Sequence, residues 1–365
     1  MSRNSTQERK GKMSVFVTVL TAFGSGVLGA CLGAMPSVIM CGVAVCIGMV
    51  GAVSGSGFNW LTDMAFGMFL GPQVSFAPAC VAAAYAKSKG YINSSKDIFL
   101  PLITIGKPDV LVVSGIFAVI GWYMNRGIAA ILPGRIDNVA CTIVLLSMLG
   151  RVIFAHNGLK GIIGDVPEGK GRFDAATSDA WIPYQTGNNS LQLVLLGTGV
   201  GAISGYLTTL ICTQSVETGN EALMAVAAMP VWGIAIMWCM AMAGGCMVPV
   251  AHHIGLVAGY AAKMAFIGGQ SFEMCLIWGI AFGLAGAYTA DLLGKLLTVY
   301  GEGYVDPPSM SITFWSVFLL WLFPTAGFTT AGNPMNFGMP ILMFVIFIGV
   351  AVLQAKRMRE YNASK

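Results

Sequence analysis

Charge is what this sequence lacks most. Only 10% of its 365 residues are Asp, Glu, Lys or Arg, against about 25% in an ordinary soluble domain. So few charges cannot cover a surface that faces water. Histidine is scarcer still, with three residues in the whole chain. The nine cysteines form no CxxC pair and all sit in or beside apolar runs. They read as small buried hydrophobes, so neither disulfides nor a metal site is expected. GxSxG, HExxH and Walker-type loops are absent, and "GEG" at Gly301–Gly303 is too short to cradle a phosphate. No enzyme activity and no cofactor is expected. A net charge of +4 is too modest to imply a nucleic-acid partner.

Apolar runs are what the sequence has. Hydrophobic residues make up 56% of the chain and the mean hydropathy is +0.75. Runs near the roughly 20 residues needed to cross a bilayer recur throughout. The short alternating segments of a transmembrane barrel are missing. The expected fold class is an all-α polytopic membrane protein with about 10–12 membrane segments. They are placed at 13–34, 36–55, 57–70, 71–88, 108–132, 137–155, 190–212, 220–243, 245–266, 271–299, 309–326 and 337–355. The 47 glycines are read chiefly as close helix-packing positions. The tail "MSRNSTQERKGK" is basic, and "LGAC" at Leu28–Cys31 resembles a lipoprotein cleavage box. An uncleaved first membrane helix accounts for both, with the N-terminus expected in the cytoplasm of a multi-pass cell-membrane protein.

The only long hydrophilic interval inside the chain, 156–189, divides it into similar halves. Landmarks recur in the same order on either side. "GSGV" at Gly24 answers "GTGV" at Gly197. "GPQVSFAPACVAAAYAK" at Gly71 answers "VPVAHHIGLVAGYAAK" at Val248. "GIFAVIGWY" at Gly115 answers "GIAFGLAGAY" at Gly279, and "RIDNVA" at Arg135 answers "YVDPPS" at Tyr304. The expected organisation is a cytoplasmic tail (1–12), a first membrane repeat (13–155), an extramembrane connector (156–189), a second repeat (190–330) and an extra C-terminal helix with a basic tail (331–365). The repeats are expected to be inverted, by analogy with transporters.

The second landmark carries the functional expectation. Proline removes a backbone donor and clashes with the preceding turn. Gly71, Pro72 and Pro78 in one half and Pro249 in the other mark matched helix breaks. Broken or re-entrant helices in matched places point to a transporter's binding site. Around them stand Gln73, Ser75, Phe76, His252 and His253, polar or aromatic side chains expected to contact substrate. Adjacent histidines diverge by about 100° on a helix, so one is expected to matter more than the other. Asp63, Asp109 and Asp291 are candidates for cation or proton coupling, although Asp291 and Lys295 have the i,i+4 spacing of an ion pair. Asp137 and Asp306 hold matched positions at helix starts and are read as caps. The function expected is a permease for a small polar solute or ion. A passive channel, or a non-transporting membrane subunit of a larger complex, is the alternative. The partners are that solute, the lipid bilayer and, if it assembles, further copies of the chain as a homo-oligomer.

Overall fold

A computed structural model describes residues 14–55, 58–155, 160–168, 171–173 and 190–363. The tail 1–12 and most of the connector 156–189 lie outside them. Every regular element among the described residues is helical. The principal ones are α1 (Val15–Leu32), α2 (Ala34–Val53), α3 (Phe76–Ser88), α4 (Pro108–Ile131), α5 (Asn138–Phe154), α6 (Ser190–Thr218), α7 (Pro230–Trp238), α8 (His252–Ile267), α9 (Phe272–Leu293), α10 (Pro307–Val317) and α11 (Met335–Ala363).

Seven helices are long and apolar enough to cross a membrane: α1, α2, α4, α6, α11, α9 extended to Thr298, and α10 extended to Thr325. The other expected segments are shorter. The stretch 57–70 holds only a six-residue π-helical piece, Trp60–Ala65, followed by turns. The stretch 220–243 breaks into Glu221–Val226, α7 and Met240–Ala243. Pro230 opens α7, where its missing N–H costs nothing. The last helix runs past 355 to Ala363 and takes Lys356, Arg357 and Arg359 into its final turns.

Buried glycines set the helix contacts. α6 and α9 lie antiparallel. Gly197 packs on Leu284, Gly201 on Ile280, and Gly205 on Leu276. A Cβ built at Gly279 would come 2.6 Å from the Gly205 Cα, and one at Gly283 2.6 Å from the Gly201 Cα. α1 crosses α4 the same way, with Gly26 against Ser114 and Ala118. The Ser114 hydroxyl donates to the Gly26 carbonyl at 2.6 Å. α9 is the central element, with Trp278, Phe282 and Tyr288 fully buried.

Contacts between the halves define two ends of the molecule. At one end the Lys96 ammonium donates to the Val299 carbonyl (2.6 Å) and the Gly303 N–H to Ser95 Oγ (2.8 Å). Buried Arg151, late in α5, donates to the carbonyls of Ile162, Leu297 and Gly303. At the other end Asp137 N–H donates to Ser316 Oγ (2.9 Å), and the Arg135 guanidinium stacks over Trp321. There too the Ala331 N–H bonds the Gly268 carbonyl at 2.8 Å. α3 and α8 both start at buried residues, Phe76 and His252. α3 then runs to the Lys89 end and α8 to the Gly268 end.

Two outcomes follow. Gly279→Leu should destabilise the purified protein by about 1–3 kcal/mol, read as a lower melting temperature, because α6 cannot retreat without opening the core. In a cysteine-free background, single cysteines at Lys89 and Lys356 should react with an impermeant thiol reagent from one side of a vesicle, and a cysteine at Glu273 from the other.

Candidate functional site

Both interruptions flagged by proline are tied down by hydrogen bonds. Between residues 66 and 75 the Gln73 amide donates to the Phe66 carbonyl (2.7 Å), and Ser75 Oγ reaches the carbonyls of Leu70 (3.1 Å) and Gly71 (3.2 Å). Ser25 Oγ, from α1, bonds the Met68 carbonyl. Glycine lets two helices approach this turn: a side chain at Gly29 would collide with the Ser75 carbonyl, and one at Gly121 with that of Gln73. Pro78 is the third residue of α3, inside the first turn, so it helps start the helix. In the second interruption Trp238 Nε1 donates to the Pro249 carbonyl at 2.6 Å.

The turns deliver α3 and α8 to a cavity of about 350 Å³. The starts of four helices line it: Phe76 of α3, His252 of α8, Asn138 of α5 with its cap Asp137, and Ser309 of α10 with its cap Asp306. Apolar walls come from Met35 and Val38 of α2 and from Trp232 and Ile236 of α7, and Asn125 and Tyr260 complete the polar lining. No lysine or arginine is among the lining residues.

The two carboxylates are differently held. Asp137 Oδ1 caps α5 through the Ala140 N–H (2.9 Å), while Oδ2 accepts from the Tyr260 hydroxyl (2.8 Å), which belongs to the other half of the chain. Asp306 Oδ2 accepts both the N–H (2.9 Å) and the hydroxyl (2.5 Å) of Ser309, and Oδ1 the Tyr304 hydroxyl at 3.3 Å. By contrast, no side chain caps α3 or α8. Bare helix starts carry partial positive charge and the capped ones carry carboxylates, so the cavity presents polarity of both signs. A second cavity, of about 210 Å³, shares Met35, His252 and Asp306 with the first and extends to Lys96 and Asp97. Burial there, together with the nearby Arg151 charge, lowers the Lys96 ammonium to about 8.

Of the residues singled out in the sequence, Pro72, Phe76 and His252 line the main cavity. Gln73, Ser75 and His253 are buried beside it and are not among its lining residues. The coupling candidates stand elsewhere. Asp63 is exposed on the π-helical piece. Asp109 accepts from the hydroxyls of Tyr85 (2.8 Å) and Tyr91 (3.3 Å). Asp291 is paired with buried Lys295 at 2.9 Å and accepts from Gln354 at 3.0 Å. Asn125, Asn138 and Tyr260 carry no site signal in the sequence, being lone polar residues in apolar or capping contexts. Asp137 and Asp306 do cap their helices, and also line the cavity.

A family of unknown function, DUF7973, matches the chain twice, over residues 9–176 and 163–333. The chain belongs to that family. No curated protein and no solved structure matches it. One match covers the first half of the chain and the other the second, and both halves line the cavity.

The histidines should separate experimentally. Truncating His253 leaves a hole in packed surroundings, so His253→Ala should lower thermal stability by about 1–3 kcal/mol. His252→Ala only enlarges an existing cavity and should cost less than half of that in the same melting measurement.

Proposed function

We propose that the protein is a multi-pass membrane permease built from two inverted repeats, moving a small polar solute or ion through a site between them. The observation that carries this reading is the convergence of four helix starts, two from each half, on one cavity lined by carboxylates, amides and histidine. Interrupted helices whose starts meet in the interior are how transporters build sites at membrane depth. Irregular backbone there is tolerated where protein buries it or where it lines a cavity.

The repeat reading is supported by the twofold family match and by matched parts running oppositely. α1 answers α6, α3 answers α8, α4 answers α9 and α5 answers α10, with Asp137 and Asp306 at equivalent caps. The membrane reading is supported by the outward faces. Phe16 (74%), Leu195 (74%) and Val345 (65%) are large exposed hydrophobes on three different helices. Such surface suits hydrocarbon and not water.

The charge rule places the Lys89 end in the cytoplasm, because Lys87, Lys89, Lys96, Lys107, Arg172, Lys356, Arg357 and Arg359 gather there. Ser14 caps α1 at the far end, so in this orientation α1 starts on the side away from the cytoplasm. That differs from the expectation drawn from the tail's own charge.

The test is uptake into proteoliposomes from a panel of radiolabelled inorganic ions and small cationic, anionic, zwitterionic and neutral solutes. At least one should accumulate saturably, and a bulky thiol reagent on Ser309→Cys in a cysteine-free background should cut its flux at least tenfold. Unsaturable flux would point to a channel. No flux for any solute, with intact protein, would overturn transport by this chain alone and favour the subunit reading.

A further inference from the structure

We propose that the Asn125–Asn138 pair in the main cavity is the docking point for an uncharged solute with an amide edge, a carbonyl bonded to an N–H, on an apolar body. This rests on the permease reading and deepens it by naming the class of cargo.

The pair joins two helices. Asn125 lies in the second half of α4 and is 9% exposed, Asn138 is the first residue of α5, and both line the cavity. The Asn138 amide nitrogen donates to the Asn125 side-chain oxygen at 2.6 Å, and Thr142 Oγ1 approaches the same oxygen at 3.4 Å. A side-chain amide has one acceptor oxygen and one NH2 group. The bond between the two residues therefore uses one pole of each. The Asn125 NH2 and the Asn138 side-chain oxygen have no partner among the described residues. Neither is a sealed-off atom like Gln73 Oε1 or the Nδ1 of His253, so both open onto space that a ligand can reach. The shared bond ties the two amides together and keeps one free donor near one free acceptor. A single amide group reaches both: its carbonyl accepts from Asn125 and its N–H donates to Asn138.

The rest of the cavity selects against charge. No lysine or arginine lines it, so nothing there neutralises an anion. Its two carboxyl groups are committed already, Asp137 to the Ala140 N–H and the Tyr260 hydroxyl, Asp306 to Ser309 and the Tyr304 hydroxyl. Among the described residues no group of three His, Cys, Asp or Glu side chains could hold a metal ion. A charge brought into such a place loses its hydration without a matching partner. A dipole does fit. The uncapped starts of α3 and α8 are partially positive and the starts of α5 and α10 carry the acids. An amide is uncharged and has a dipole of about 3.5 D. The body of the solute meets Phe66, Phe76, Trp232, Ile143 and Ile236, with the Phe66 and Trp232 rings 5.5 Å apart. Walls of this kind suit a flat apolar ring.

The test is equilibrium dialysis of radiolabelled thymine and 2-quinolone, both uncharged ring amides, against the purified full-length protein in detergent. At least one should bind saturably. Their N-methylated forms, 1,3-dimethylthymine and N-methyl-2-quinolone, keep the carbonyl and lose the N–H. They should compete at least tenfold less well, because the Asn138 oxygen is left unpaired. N-methylquinolinium and quinoline-2-carboxylate, a cation and an anion of the same bicyclic body, should not compete. Asn125→Asp keeps the oxygen that Asn138 and Thr142 use and removes the NH2 donor, so it should weaken binding at least tenfold; a melting curve checks that it folds. Should it not fold, the N-methyl comparison on the wild-type protein decides alone. The proposal is overturned by the absence of saturable binding of both amides, by equal competition from the N-methylated forms, by tighter binding of either charged analogue, or by wild-type affinity in folded Asn125→Asp. The two readings fail separately. Saturable amide binding without flux of any solute keeps the site and removes the permease, whereas saturable flux confined to charged solutes keeps the permease and removes the amide site.

Discussion

Everything in this fold answers to one constraint: backbone polar groups away from water must find partners inside the protein. Helices meet it by themselves, and among the described residues this chain has no other regular structure. The two proline-marked interruptions do not meet it by themselves. Their carbonyls are reached instead by Gln73, Ser75, Ser25 and Trp238. Those side chains are buried, or nearly so, because that is where the freed carbonyls are. Gln73 and Ser75, two of the residues expected to contact substrate, hold the turn that leads into α3.

Glycine is the second half of the same arrangement. A turn packed between helices needs the helices to come close, and Gly29 and Gly121 allow it. The stacked glycines of α6 and α9 do the equivalent elsewhere, bringing two apolar helices into close backbone contact. Tight antiparallel pairs then act as scaffolds beside the more irregular elements that form the cavity. Arg151 fastens one end by reaching three carbonyls drawn from three separate segments. Buried Lys295 and Asp291 neutralise each other within α9 and its extension, with Gln354 from α11 added. Buried Arg151, Lys295 and Asp291 thus hold structure, through carbonyls or a counter-charge, whereas Asp137 and Asp306 cap helices at the cavity.

The cavity itself is shared work. Asp137 is gripped by Tyr260 from the opposite half, and its N–H by Ser316. A movement of one half against the other would have to alter these bonds, so the caps couple the state of the cavity to the packing of the halves. Met35, which lines both cavities beside His252 and Asp306, is a flexible apolar side chain suited to a wall that re-forms.

Composition and periodicity determined the class of fold, because the cost of exposing polar backbone to hydrocarbon leaves long apolar helices few alternatives. The proline and glycine signals likewise located both interruptions, since their effect on the backbone is local. The i,i+4 spacing of Asp291 and Lys295 announced their pairing for the same reason. Which polar side chains face the cavity was not legible. His253 stands about 100° around the helix from His252, and which of the two directions faces the cavity is fixed by neighbours distant in sequence. Asp137 and Asp306 read correctly as caps, yet a cap says nothing about what lies beyond the helix end. Only the tertiary structure brought four helix starts together, because the contacts that do so join residues more than a hundred positions apart.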